Sequence, residues 1–407
     1  MNQLTRFELR KIVRRKTFLA GMVILAGIAV FMAIVLVNNM QTTGVEGKFI
    51  YGTEAIQLKR QYNMQLAGPL TQESLVRVAE RQQDIQSNPA NLDDKGELTV
   101  EANGKYGEQD TDIQLLLMHA FSTGEEMDYN YLSDLKPEMV KDFYKSRMER
   151  VQEYVNNEAR VGKLTTEEKS FFMESNRNIP KPFLFNYAMG WDNLFENLTD
   201  MFCITAFVIA LSLAPVFAGE YQSRTDAILL ATRFGRNKLI WAKLTAGLIV
   251  SLGLIMMGVA VYCLLMLSIF GFEGGEASIQ ILRFMAPVPY TVLQTFGWSV
   301  LIGCLVCLVT AALTLWLSSR MSSSFSVLTV SGLVLFGSMF LPEGWGVLRD
   351  FLPGNMAESY RMVTGYKIIQ LWGTVIPVYK AVVVFSVAML LLMLPFTYRA
   401  FRNHQVV

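Results

Sequence analysis

Apolar and polar positions in this chain are segregated into long blocks. Residues 18–37, 201–219, 244–272 and 284–319 hold no charged side chain. Two further apolar runs cover 321–341 and about 377–396, the latter with Lys380 near one end. A bilayer core about 30 Å thick needs roughly 20 apolar residues in a helix. Lipid gives the backbone no hydrogen-bond partner, so each run predicts a helix. Pro287 and Pro289 lack the donor that a helix interior requires, so the fourth span is expected to begin near Val292. The Lys380 stem is long enough to reach the interface. Six spans result.

Residues 38–198 read differently. Pro137 opens a segment with Met139, Val140, Phe143, Tyr144, Met148, Val151, Tyr154 and Val155 at helical spacing. Thr165 with Glu168, and Thr111 with Gln114, have the spacing of a capping box. Gly68-Pro69 and Asn88-Pro89 interrupt the earlier helical stretch. Residues 91–109, rich in Gly, Asn and Asp, are expected to form a loop or short hairpin. The predicted fold is an all-α polytopic membrane protein. It has a lead-in and first span (1–37), a large, mainly helical extracytoplasmic domain (38–198) and five further spans (199–407).

Charge sharpens this division. The 407 residues carry 36 Lys/Arg and 35 Asp/Glu, and 52% are apolar. That composition excludes a disordered chain, a collagen-like fibre and a disulfide miniprotein. Residues 38–198 hold 17 basic and 26 acidic side chains, a net charge of −9, and the remainder carries +10. Lys and Arg collect in short cytoplasmic flanks. Here they occupy 6–16, 224–243, Arg320 and the tail with Arg399 and Arg402. With six spans, these segments share one side. The expected location is the plasma membrane with both termini cytoplasmic, and with 38–198, 273–283 and 342–374 outside. The basic start and apolar run also fit a signal peptide, but the run is 20 residues long and no cleavage site stands out.

Several chemistries lack their residues. Cys203, Cys263, Cys304 and Cys307 all lie in predicted spans, so no disulfide staples the exterior. Cys304 and Cys307 are one helical turn apart and are read as packing residues. The two histidines, His119 and His404, are not at zinc-site spacing, and no H-E-x-x-H occurs. Neither a G-x-S-x-G elbow nor a phosphate-binding G-x-x-x-x-G-K-[ST] loop is present. Charges are nearly absent from the spans, which argues against a proton- or sodium-coupled carrier. No nucleic-acid partner is indicated.

The loop at 219–243 carries the most information. Ala227–Ala231 is apolar and is rimmed by Arg224, Asp226, Arg233 and Arg236. An apolar knob within a charged rim suits docking of a soluble protein. The alternative is a helix lying on lipid headgroups.

Here the sequence resembles the permease subunits of type-2 ABC exporters. Glu220, Thr225, Leu229-Leu230, Gly235-Arg236 and Lys243 match that family's elements in order and spacing, and Arg224 stands where Gly is usual. The segment Phe7–Arg14 is similar to its cytoplasmic lead-in helix, although its apolar stripe is poor. The resemblance covers the membrane portion. It implies a non-catalytic subunit, paired with a second copy or a sister permease and with cytoplasmic ABC ATPases. ATP and Mg would be bound on those ATPases, and no cofactor on this chain. Glu220, Arg224, Thr225, Ile228, Leu229, Leu230, Arg233 and Arg236 would form the ATPase-coupling element. The 342–374 loop, with Trp345, Phe351, Pro353, Tyr360 and Trp372, would form short re-entrant helices at an outer mouth or an ordinary interfacial loop. The uncharged spans suit an apolar or amphipathic cargo, peptide or lipid-like. The other readings are a membrane-anchored sensor or scaffold whose exterior domain binds a ligand, and a membrane enzyme acting on lipids or peptides.

Overall fold

The computed structural model describes residues 2–94, 96–122, 135–162, 164–371 and 373–404. A short α1 (Gln3–Val13) precedes α2 (Lys16–Asn39). The insert then begins with an antiparallel hairpin, β1 (Gln41–Thr43) and β2 (Phe49–Tyr51). Its helices are α3 (Gly52–Gln65), α4 (Gln72–Ser87), α5 (Thr111–Phe121), α6 (Phe143–Arg160), α7 (Thr166–Arg177) and α8 (Met189–Glu196). Between them, β3 (Gly68–Pro69) pairs with β4 (Leu184–Phe185). The rest of the chain comprises α9 (Leu198–Leu213), α10 (Ala218–Gln222), α11 (Asp226–Ala231), α12 (Lys238–Phe270), α13 (Val292–Arg320) and α14 (Ser324–Gly337). It continues through α15 (Pro353–Met356), α16 (Ser359–Thr364), the hairpin β5 (Ile368–Leu371) and β6 (Thr374–Pro377), and α17 (Val378–Arg402).

Five helices are long and apolar enough to cross a membrane: α2, α9 with α10 taken together, α12, α13 and α17. This is the architecture of a mainly helical, multi-pass membrane protein. α13 begins at Val292, as the two prolines require, and Thr291 with Gln294 closes a capping box there.

Two expected spans differ. The 201–219 run is not one continuous helix. It stops at Leu213 and turns through Pro215 before resuming at Ala218. Proline removes one hydrogen bond and clashes with the preceding turn. The 321–341 run yields only α14, 14 residues long, and a 3₁₀ turn at Ser338–Phe340. At 1.5 Å per residue α14 is about 21 Å long, short of the bilayer core. It ends where Ser338 is drawn into another bond set. The Ser338 hydroxyl accepts the N–H of Gly354 at 3.0 Å, and its carbonyl accepts Asn355 Nδ2 at 2.7 Å.

Within the insert, Thr165 and Glu168 form the expected capping box. Thr111 and Gln114 do not. The Thr111 hydroxyl donates to Gly107 O, and Gln114 is buried and donates to Gln82 Oε1. The 91–109 stretch makes the expected hairpin only at Leu92 and Leu98. It then turns helical through Val100–Gly107.

One large core runs through the long helices, from Ile12 to Phe401. The insert has two smaller cores, and neither is complete alone. Phe284, between α12 and α13, completes one around Leu75, Phe143 and Phe183, and stacks on His119. Ile368 of β5 joins Val151, Val155 and Phe172 in the other. The insert is thus tied to the loops at one end of the helix bundle.

Candidate functional site

The opposite end of the bundle is organised around the break at Pro215. Ending α9 early frees backbone groups that must find partners away from water. The Ser318 hydroxyl accepts the N–H of Phe217 and of Ala218, each at 3.0 Å, and donates to Ala214 O at 2.7 Å. Arg15 Nη2 donates to Pro215 O at 3.2 Å, and Lys243 Nζ donates to Val216 O at 3.1 Å. Three consecutive carbonyls are therefore held by three side chains from three other elements.

Lys243 is fully buried, one turn into α12. Besides Val216 O, its ammonium meets Glu220 Oε1 at 2.6 Å and Glu8 Oε2 at 3.0 Å. Lys11 reaches the same Glu220 oxygen at 3.0 Å. Both carboxylates are buried. Burying an ammonium is tolerable only with such pairing. Burial pushes the Arg15 guanidinium down from its ordinary value, and Glu8 and Glu220 act in the opposite direction. The cluster joins α1, the Pro215 turn, α10 and the start of α12.

Glu8 is the member of this buried cluster that the sequence reading did not single out. The buried stripe of α1 is Thr5, Glu8 and Ile12, which are one face of a helix but not an apolar one. A search for an apolar stripe passes over it. The available signal was a single acid in a lead-in otherwise filled with Arg and Lys.

The loop that follows presents a smaller apolar surface than Ala227–Ala231 suggested. Ile228 is 71% exposed and Phe234 is also exposed, but Leu230 is 4% exposed and belongs to the core. Leu229 is half-buried. Arg224, Arg233 and Arg236 are exposed around this surface, Thr225 is also exposed, and Asp226 is buried against His404 at 3.5 Å. The C-terminal tail braces the loop. Arg236 Nη1 donates to Arg402 O at 2.7 Å, and the Tyr398 hydroxyl donates to Asn237 Oδ1 at 3.3 Å.

Two backbone positions shape the loop. A Cβ at Gly235 would lie 1.8 Å from Leu229 O, so only glycine fits the close approach. Arg224 has φ +53°, the left-handed conformation that glycine adopts freely. The tight turn is therefore kept with an arginine in it, at a cost of roughly 1–2 kcal/mol.

The residues of the 342–374 loop do not converge on one surface. Trp345 is exposed, whereas Phe351 packs edge-on against Phe385 at 5.0 Å. Pro353 is buried at the start of α15. Tyr360 is buried and stacks on Phe195, with ring centroids 4.0 Å apart. Trp372 lies outside the described residues. Among the described residues, no group of three His, Cys, Asp or Glu is placed to hold a metal ion. Cys307 Sγ donates to Phe202 O at 3.6 Å, a packing contact.

A family model described as ABC-2 family transporter protein matches residues 3–406. No curated protein and no solved structure matches the chain.

Proposed function

The chain belongs to the ABC-2 family of transporter proteins, and on that premise we propose that it is the membrane subunit of an ATP-driven exporter. A separate cytoplasmic ATPase supplies the work, and this chain is paired with a second copy or a sister permease. The reading takes α14 as the sixth, shorter crossing, places both termini in the cytoplasm and puts the insert outside. The cargo is apolar or amphipathic, since the long helices offer almost no charge to bind an ion.

The observation that carries this reading is the join between an exposed knob and a buried anchor. Ile228 and Phe234 stand in a rim of arginines, suited to an ATPase surface. A few residues away, Glu220 and Lys243 fix both ends of that loop to α1 and to the Pro215 turn. Work delivered at the knob then moves α9 and α12 as a unit, which is the rigid two-state element that coupling needs.

The test is copurification of the full chain with its ATPase in mild detergent, using Ile228→Asp. A charge at the centre of a docked patch should remove about 2 kcal/mol or more, roughly a thirtyfold loss of complex. An unchanged ratio of the two subunits would refute the assignment. Leu230→Asp is unsuitable, because that side chain is in the core and the variant would report on folding.

A further inference from the structure

At the opposite end of the bundle from Lys243, a cavity of about 550 Å³ opens between the insert and the loop before α17. Its size lies within the range of about 300–1,000 Å³ typical of ligand pockets. The two walls differ in sign. The insert contributes Glu158 and Glu168, and the loop contributes Arg349, Asp350, Arg361 and Lys367. Lys367 and Asp350 pair at 2.5 Å, and the two arginines are the other cations of that wall. Arg361 is 80% exposed and pairs loosely with Glu358 at 3.8 Å, and Arg349 Nε donates to Asn355 Oδ1 at 3.1 Å.

Tyr154 and Tyr366 also line the cavity, with ring centroids 5.0 Å apart. Aromatic faces beside carboxylates suit an ammonium. Guanidinium groups suit a phosphate, which they bind with paired donors.

A second cavity of about 250 Å³ shares Gly365 and Lys367 with the first. Its walls include Phe171, Phe172, Pro287, Val288 and Val363, with Ser175, Asn178 and Lys380 among its polar members. A charge-lined cavity beside a mainly apolar one is the shape of a site for a molecule with a charged head and an apolar chain.

We propose that this pair of cavities binds a zwitterionic amphipath. Its phosphate lies against Arg349 and Arg361, its ammonium against Glu158, Glu168 and the tyrosine faces, and its chain in the Phe171–Val288 cavity. The site does not depend on the export reading, and its test involves no ATPase. A ligand there touches Tyr366, whose hydroxyl donates to Met285 O at 2.7 Å in the linker to α13. Occupancy is therefore felt at the head of a long helix.

The experiment is calorimetric titration of the purified full chain in a sugar detergent. The probes are lysophosphatidylethanolamine, lysophosphatidylglycerol with the same chain, and glycerophosphoethanolamine. The zwitterionic lysolipid should bind saturably and at least tenfold more tightly than the other two. Arg361→Gln should weaken both lysolipids several-fold. Glu158→Gln should weaken only the zwitterionic one and so abolish the preference. Both side chains line the cavity surface, and unchanged thermal unfolding of the variants checks that they fold. Equal binding of the two lysolipids, a preference that survives Glu158→Gln, or no saturable binding would overturn the proposal. Glycerophosphoethanolamine binding as tightly as the lysolipid would overturn the role of the apolar cavity and leave a soluble zwitterion as the ligand.

Discussion

Lys243 and Arg147 are both fully buried cations, and both hold a broken stretch of backbone in place. Their partners differ. Lys243 meets two carboxylates and one carbonyl. Arg147 bonds to neutral acceptors, Phe284 O at 2.9 Å, Ala286 O at 3.3 Å and Asn176 Oδ1 at 3.1 Å. Burial pushes the Arg147 guanidinium down to about 10. With Tyr366 on Met285 O, the carbonyls of residues 284–286 are all taken, two by the insert and one by the loop before α17. The comparison separates two ways of joining elements. A charge pair in low dielectric is strong, but either partner becomes a costly orphan when the other moves. A guanidinium on carbonyls leaves only neutral groups behind when it is lost. The Lys243 end is held by paired charges, and the Arg147 end by hydrogen bonds to neutral acceptors.

The largest effect should come from Lys243→Met. It strands Glu8 in the interior, leaves Glu220 with Lys11 as its one cationic partner, and should cost about 3–5 kcal/mol, read as a fall in thermal unfolding temperature in detergent. Adding Glu8→Gln to that variant should recover part of the loss, because it removes one stranded charge. A loss under about 1 kcal/mol would mean that water reaches the cluster and the two ends are alike.

Arg147→Met should cost less, about 1–3 kcal/mol, the penalty of unpaired carbonyls. No carboxylate substitution should rescue it, since none of the bonds it makes goes to a carboxylate. Rescue by neutralising an acidic neighbour would break the distinction between the two ends.

The smallest effect concerns strain. Among the described residues, the left-handed positions near the Arg147 end are glycines, such as Gly271, Gly274 and Gly346, whereas the Lys243 end has Arg224. Arg224→Gly should raise stability by roughly 0.5–1 kcal/mol, the relieved strain less the extra freedom that glycine has when unfolded. A decrease in unfolding temperature would show that the Arg224 side chain makes a contact worth more than the strain.

Much of the long-helix architecture was legible because lipid demands it: apolar length reads directly as a helix, and Pro287 with Pro289 marked where α13 starts. Glu220, Gly235 and Lys243 were singled out through the resemblance to type-2 ABC permeases. What failed had a common cause. Counting apolar residues treats Pro215 as one more uncharged position, yet its missing donor breaks α9 and creates the carbonyls that Arg15 and Lys243 hold. Glu8 looks like a polar surface residue until its partner, 235 positions away, is known. Leu230 and Ile228 are equally apolar, and only the orientation of α11 decides which faces outward. The insert was legible as helical, but its cores need Phe284 and Ile368 from elsewhere in the chain, and no local pattern announces that.

The central claim is that docking at Ile228 and transmission through Glu8, Lys243 and Glu220 are separate functions of adjoining residues. The direct measurement is ATP hydrolysis by the purified complex carrying Glu8→Gln, with the ratio of the two subunits determined in the same preparation. The account predicts an unchanged subunit ratio and a hydrolysis rate that falls to that of the ATPase alone. An unchanged ratio with an unchanged rate would contradict it.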